Sequence, residues 1–203
     1  MTAQANGSIG NRLRLFWEDL RQLRPTLRLV NLFAILLPSA TFGWLRPILY
    51  RAIGVKIGSR GRIFGKLDIT GQGRVVSNIR IGERCMLTTP LYLNASAPIT
   101  IGDRVGIGHH VVIITDSHDM TNPDNRCGPG HALPVTVEDG VWIGARVTIL
   151  PGVTLRRGSV VAAGSVVASD VPEDTLVGGS PARAIRLLPG AKREPSDGTA
   201  AEP

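Results

Sequence analysis

Residues 137–167 read Val137-Glu-Asp-Gly-Val-Trp-Ile143-Gly-Ala-Arg-Val-Thr-Ile149-Leu-Pro-Gly-Val-Thr-Leu155-Arg-Arg-Gly-Ser-Val-Val161-Ala-Ala-Gly-Ser-Val-Val167. An aliphatic side chain returns at every sixth position. That period is neither the 3.6 of a helix nor the plain alternation of a strand. It predicts an all-β solenoid, in which the chain turns a corner every six residues and sends side chains inward from each face. Upstream the same beat runs through Ile57, Ile63, Ile69, Val75, Ile81, Leu87, Leu93, Ile99, Val105 and Val111 without a miss. With three faces to a coil of about 18 residues, positions 53–170 make roughly six coils stacked about 4.8 Å apart. The pairs Ile57-Gly58, Ile81-Gly82, Ile101-Gly102 and Ile143-Gly144 read as corners where glycine takes dihedrals that other residues resist. Four residues past each inward aliphatic, Val147, Val153, Ser159 and Ser165 are small or branched.

The beat lapses between Thr115 and Pro134, where the chain is polar and rich in Gly and Pro. Residues 115–134 therefore read as a loop extruded from a corner, and long structured loops on a rigid scaffold usually carry function. Residues 1–52 form a separate basic, amphipathic, helical segment. Leu13, Phe16, Trp17, Leu20 and Leu23 fall at helical spacing, and Pro25 stops or restarts the helix. The apolar run from Leu29 to Leu37 is shorter than the roughly 20 residues that span a bilayer. Two readings of this segment stand side by side: a cap on the open end of the solenoid, or a peripheral contact of residues 11–52 with anionic lipid. The solenoid domain extends to residue 188, with a short helix or strand over 183–188. Residues 189–203 have the composition of a disordered tail.

A chain of 203 residues suits one principal domain. Its formal charge of +7 is concentrated at the start, where seven arginines in the first 51 residues face only Glu18 and Asp19. Charge without a recognised motif makes no case for a nucleic-acid partner. Cys85 and Cys127 form no CxxC pair, which points to free thiols in a reducing compartment. Met1 to Asn11 is polar and small, unlike a cleavable leader. The expected location is cytoplasmic, or peripheral on the inner face of the membrane.

Four segments narrow the reading: Ile113-Ile-Thr-Asp-Ser-His-Asp119, Val141-Trp-Ile-Gly-Ala-Arg-Val-Thr-Ile-Leu-Pro-Gly-Val153, Val161-Ala-Ala-Gly-Ser-Val-Val167 and Gly178-Gly-Ser-Pro-Ala-Arg183. In this order they resemble the hexapeptide-repeat O-acetyltransferases of the maltose, galactoside and colanic-acid type. The resemblance covers roughly residues 53–188. It implies a left-handed parallel β-helix, a homotrimer, and direct transfer of an acetyl group from acetyl-CoA to a hydroxyl of a sugar or envelope glycan. The expected partners are thus acetyl-CoA, a glycan or glycolipid acceptor, and two further copies of the chain. No metal is expected.

Such a transfer needs a base for the acceptor proton, and histidine is the natural one near neutral pH. The resemblance assigns that role to His118, at the start of the extruded loop. Asp116 and Asp119 are candidates to orient its ring, and Asp116 and His131 are candidates for the acceptor side. His109 and His110 read as surface residues of a corner. On the donor side, the positions matching the family's CoA contacts are Trp142, Ala145, Ala163, Gly164, Arg183 and Arg186. Guanidinium groups suit phosphate. Ala168-Ser169 stands where the family often has Thr-Lys, so one phosphate contact falls to Arg183. On the acceptor side a gap-free match puts Thr88 where maltose-type members have Asn, and Ser96 where they have Asp. Asn94 lies nearby as a substitute. These departures argue against a simple maltoside or galactoside. Two alternatives use the same fold: a metalloenzyme resembling the γ-carbonic anhydrases, faintly echoed by Gly108-His109, and a scaffold without catalysis.

Overall fold

A computed structural model describes residues 10–12, 14, 16–17, 23–38 and 41–190. Half of the residues of the helix expected over 11–24, and the tail from residue 191, lie outside the described residues. The rest is a parallel β-solenoid. Its first face stacks β1 (Lys56–Ile57), β4 (Ile79–Ile81), β7 (Ile99–Ile101), β12 (Val135–Val137) and β15 (Thr154–Leu155). The second face stacks β2 (Arg62–Phe64), β5 (Met86–Thr88), β8 (Gly106–Ile107), β13 (Trp142–Ile143), β16 (Val160–Val161) and β18 (Thr175–Gly179), and β19 (Ala182–Leu187) folds back antiparallel on β18. The third face stacks β3 (Leu67–Thr70), β6 (Leu91–Asn94), β9 (Val111–Ile114), β14 (Thr148–Ile149) and β17 (Val166–Val167). The extruded loop is an antiparallel arm of β10 (Asp116–His118) and β11 (Gly130–Ala132).

The aliphatic series fills the interior: Ile63, Leu87, Leu93, Ile143 and Leu155 are all buried. The coils are not uniform, however. Ile57 stacks on Ile81, 24 residues on; Ile81 on Ile101, 20 on; Ile101 on Val137, 36 on, with the arm between; and Val137 on Leu155, 18 on. Six residues are therefore added in the first coil and two in the second. The sixfold beat hides both. One extra hexad keeps the phase, with Val75 still buried. Two extra residues shift the beat onto the other inward position: Leu93 stacks on Ile113, whereas Ile99 stacks on Val135.

The Ile-Gly corners also work differently from the sequence reading. A Cβ on Gly82 would lie 2.5 Å from the Gly102 carbonyl oxygen, and one on Gly144 2.6 Å from the Ala163 nitrogen. These glycines are required because the next coil's backbone sits directly on them. The left-handed corner falls two residues later, at Arg60 (φ 57), Arg84 (55), Arg104 (56), His110 (59) and Arg146 (58).

The N-terminal segment does cap the solenoid. In α1 (Pro25–Leu36), Leu27, Val30 and Ala34 are buried, and Asn31 Nδ2 donates to the Leu67 carbonyl on the edge strand β3 at 3.1 Å. Proline suits that first helical turn, where its missing N–H has no partner to lose. In α2 (Arg46–Ala52), Tyr50 is fully buried; its hydroxyl donates to Asn31 Oδ1 and accepts from Leu67 N, both at 2.7 Å. Arg46, also fully buried, donates to the carbonyls of Ala34, Leu37, Pro38, Thr41 and Ile63. Burial lowers its pKa, and the nearby Tyr50 opposes that shift.

Candidate active site

The arm rises where the third face ends. Thr115 is buried, and its Oγ1 donates to the Asn94 carbonyl at 2.8 Å and accepts from Ala97 N at 3.0 Å. This pins the root of β10 to the coil below. Leu133 returns the arm to the solenoid, donating its N–H to the Thr115 carbonyl at 2.7 Å. Between arm and coils lies a cleft of about 280 Å³ lined by Gln72, Ser96, Asp116, Ser117, His118 and His131, among others.

His118 is exposed, and its Nδ1 sits 2.8 Å from the Gly128 carbonyl oxygen. A carbonyl only accepts, so neutral His118 carries its proton on Nδ1 and leaves the Nε2 lone pair free. The orienting group is thus a backbone carbonyl on the far side of the arm. Gly128 is held in turn by its N–H, which donates to the Asp119 carbonyl at 3.0 Å. A Cβ on Gly128 would approach that same oxygen to 2.7 Å, so the position requires glycine.

Asp116 is engaged elsewhere. Asn94 Nδ2 donates to its Oδ2 at 2.8 Å. Ser96 Oγ lies 3.3 Å from the same oxygen and 3.0 Å from Asn94 Oδ1, and accepts from Gln72 N at 3.0 Å. This network leaves a fixed carboxylate in the cleft wall, a good acceptor for hydroxyl groups. Asp119 lies at the other end of the arm strand. The Thr121 backbone N–H, then the Thr121 side chain, hold its carboxyl below the usual range, with a smaller contribution from His131. His131 stands opposite Ser117 in the arm and lines the cleft.

The structure therefore brings His118, His131, Asp116 and Asn94 together, and adds Ser96 and Gln72. Thr88 lies on the second face, where its hydroxyl donates to the Ile107 carbonyl at 2.7 Å, and it does not line the cleft. Gly128 escapes the sequence reading because it acts through a carbonyl, which every residue has. Gln72 sits in the six-residue addition that the periodicity conceals.

The residues expected on the donor side gather elsewhere. Ala145 and Ala163 stack at the corner between second and third faces, where the Gly164 N–H donates to the Ala145 carbonyl at 2.8 Å. Ala163 and Gly164 are exposed, and nothing stands near the α-carbon of Gly164. Arg183 pairs with Gly178, whose backbone lies against Ala162, so β19 joins this corner; Arg186 pairs with Leu176, and both arginines are exposed. Trp142 projects from the second face at 61% exposure, its ring against Gly106. None of these residues lines the His118 cleft. The corner and the arm are at opposite ends of the third face, roughly 15 Å apart by strand rise.

Among the described residues no group of three or more His, Cys, Asp or Glu side chains is arranged to hold a metal. His109 Nδ1 lies 2.8 Å from the Thr89 carbonyl oxygen. Cys85 is buried and Cys127 exposed, both free thiols, and burial raises the Cys85 pKa.

A model for the hexapeptide repeat of succinyl-transferase matches residues 134–169. The fold is similar to that of a hexapeptide-repeat-containing acetyltransferase from Vibrio cholerae, 34% identical, with a TM-score of 0.71 over 84% of this chain and 93% of that one. A second structure of that protein is complexed with acetyl-CoA and matches at a TM-score of 0.69, covering 84% and 89% of the two chains at the same 34% identity. A maltose O-acetyltransferase from Clostridium difficile is 28% identical, with a TM-score of 0.66 over 83% of this chain and 87% of that one. The galactoside O-acetyltransferase of Escherichia coli is 36% identical over 112 residues, 55% of this chain and 57% of that protein. The chain spans about half the length of the curated relatives it matches.

Proposed function

We propose, from the premise that the chain belongs to the family of hexapeptide-repeat-containing acetyltransferases, that it transfers an acetyl group from acetyl-CoA to a hydroxyl of a sugar or glycan, with His118 as general base. The observation that carries this reading is the bond from His118 Nδ1 to the Gly128 carbonyl, 2.8 Å long. It leaves the Nε2 lone pair free on a ring that lines the cleft, as a base acting on a hydroxyl requires.

The residues fit the donor. At the corner of Ala145, Ala163 and Gly164, absent or minimal side chains let an amide-bearing pantetheine arm approach the backbone closely. Arg183 and Arg186 supply charge for the phosphates. Acetyl-CoA supplies a thioester carbonyl, at which a C–O bond forms as the C–S bond breaks. His118 Nε2 takes the proton of the attacking hydroxyl and returns it to the departing sulfur. Asp116, fixed by Asn94 and Ser96, positions the acceptor through its other hydroxyls, and His131 closes the cleft opposite. A cleft of about 280 Å³ suits a sugar-sized acceptor and is too small for the CoA as well. The donor corner and the His118 arm lie a face apart in one chain, which supports a site completed by a neighbouring subunit, as in a trimer.

The test is calorimetric titration with acetyl-CoA alongside a thiol-release assay over a panel of sugar acceptors, on native chain and His118→Ala. Both proteins should bind acetyl-CoA alike. Transfer by the variant should fall about a hundred- to ten-thousand-fold. Full turnover by His118→Ala would remove the base from the proposal, and a folded chain that does not bind acetyl-CoA would overturn the reading entirely.

A further inference from the structure

The cap formed by α1 and α2 has two apolar sides. Its inner side is accounted for: Leu27, Val30 and Ala34 close the first coil. On the opposite side of α1, Leu29, Leu32, Phe33 and Leu36 follow one another at helical spacing with exposures of 54, 54, 51 and 70%. Trp44 (61%), just before α2, and Ile48 (47%), within it, are exposed as well. A solenoid cap needs an apolar inner face and a polar outer one. Here the outer face is as apolar as the inner, which calls for something to cover it.

Charge identifies what. The first 67 residues contain eleven Lys and Arg but only Glu18 and Asp19. No acidic residue occurs among the described residues before Asp68. Arg28 flanks the stripe on α1. Behind it the first two coils carry a basic collar: Lys56 stacks beside Arg80 on the first face, and Arg60 and Arg84 occupy successive left-handed corners. These coils lie within roughly 10 Å of the capped end. A second copy of the chain docked end to end would bring two basic collars together, which like-charge repulsion opposes. An anionic surface with an apolar interior answers both features at once.

We infer that the N-terminal end of the solenoid docks on an anionic lipid bilayer, with Leu29, Leu32, Phe33 and Leu36 entering the interface and the arginine collar facing the headgroups. This is peripheral attachment; among the described residues no helix is long and apolar enough to cross a membrane. Arg46 makes the docking face rigid, because its guanidinium ties the end of α1, the turn after it and β2 into one body.

The experiment is sedimentation of the full chain with vesicles of phosphatidylcholine alone, or with about one third phosphatidylglycerol, at low and high salt. Native chain should bind the anionic vesicles at least about tenfold more tightly, and salt should weaken that binding. The double substitution L32Q/F33Q should lower it at least about tenfold while melting temperature and assembly size stay unchanged. A second pair, L29Q/L36Q, should do the same, so one poorly folded variant cannot decide the matter. Absence of binding to anionic vesicles overturns the proposal, as does native-like binding by both double variants. If instead L32Q/F33Q splits a larger assembly while vesicles are ignored, the face is a contact between copies and the lipid proposal is wrong.

Discussion

At the scale of single residues, the proposed base, His118, is held by a glycine ten positions away from it. His118 lies in a short Asp-Ser-His run that the family resemblance singles out. Gly128 lies in Cys127-Gly-Pro-Gly130, which reads only as loop composition. What makes it matter is a carbonyl aimed at His118 and an α-carbon too close to the Asp119 oxygen for any side chain. Gly128→Ala is therefore expected to push the two arm strands apart and release the ring of His118. Misplacement on the scale of 1 Å should lower kcat about ten- to hundredfold. Acetyl-CoA affinity should hold, since the donor corner is remote. A loss of order in the arm alone would leave the ring's tautomer mixed. Nitrogen NMR of the imidazole should accordingly show Nδ1 protonated in native chain and a tautomer mixture in the variant. An unchanged tautomer with lowered kcat would refute the positioning role.

At the scale of elements, the cap hangs on buried polar groups that the periodic pattern does not reveal. The sixfold beat is legible because every inward position of a narrow core needs an aliphatic side chain. The same uniformity erases the additions to the first two coils, since Leu93 and Ile99 look alike though they stack in different positions. The segment before residue 53 has no such beat, and a basic apolar helix reads equally as cap or anchor. Asn31, Tyr50 and the Leu67 N–H make its inner side a cap through three-dimensional contacts, a role that coexists with an anchoring outer face. Burial is the main cause that pushes the Tyr50 pKa from 10.0 up to about 12, and the Leu67 N–H bond opposes it. The folded chain therefore keeps this proton at pH values where the unfolded chain loses it. Its contribution is fully present below pH 10 and disappears as pH rises to about 12. The shift corresponds to about 2–3 kcal/mol. Denaturant unfolding at stepped pH should show that loss in native chain. In Tyr50→Phe the loss should be absent, from a baseline about 1–3 kcal/mol lower because the Leu67 N–H and Asn31 lose a partner. Parallel pH curves for both proteins would show that Tyr50 does not carry the effect.

At the scale of the whole molecule, the distribution of parts argues for more than one chain per site. The second face bears an outward column of Met86, Gly106, Trp142, Val160 and Leu176, set in register by the ladder. Met86 and Trp142 are 52% and 61% exposed on it, a large apolar surface for a flank meant for water. The proposed donor corner borders this column, while the His118 arm rises from the other end of the third face. In a trimer joined around such flanks, one subunit's arm would reach its neighbour's corner. That arrangement makes a prediction no single-chain site can meet. His118→Ala leaves the corner intact, and Ala163→Trp blocks the corner but leaves the arm. Each variant alone should be inactive yet trimeric by sedimentation. Unfolded together in equal amounts and refolded, they should form mixed trimers in which about a quarter of the sites pair an intact arm with an intact corner. Transfer should return to roughly that fraction of the native rate. Mixing without refolding should restore nothing, because the subunits have not exchanged. If the refolded mixture also stays inactive while mass analysis shows mixed trimers, each site lies within one chain. The base would then have to meet the donor by a movement of the arm across the third face.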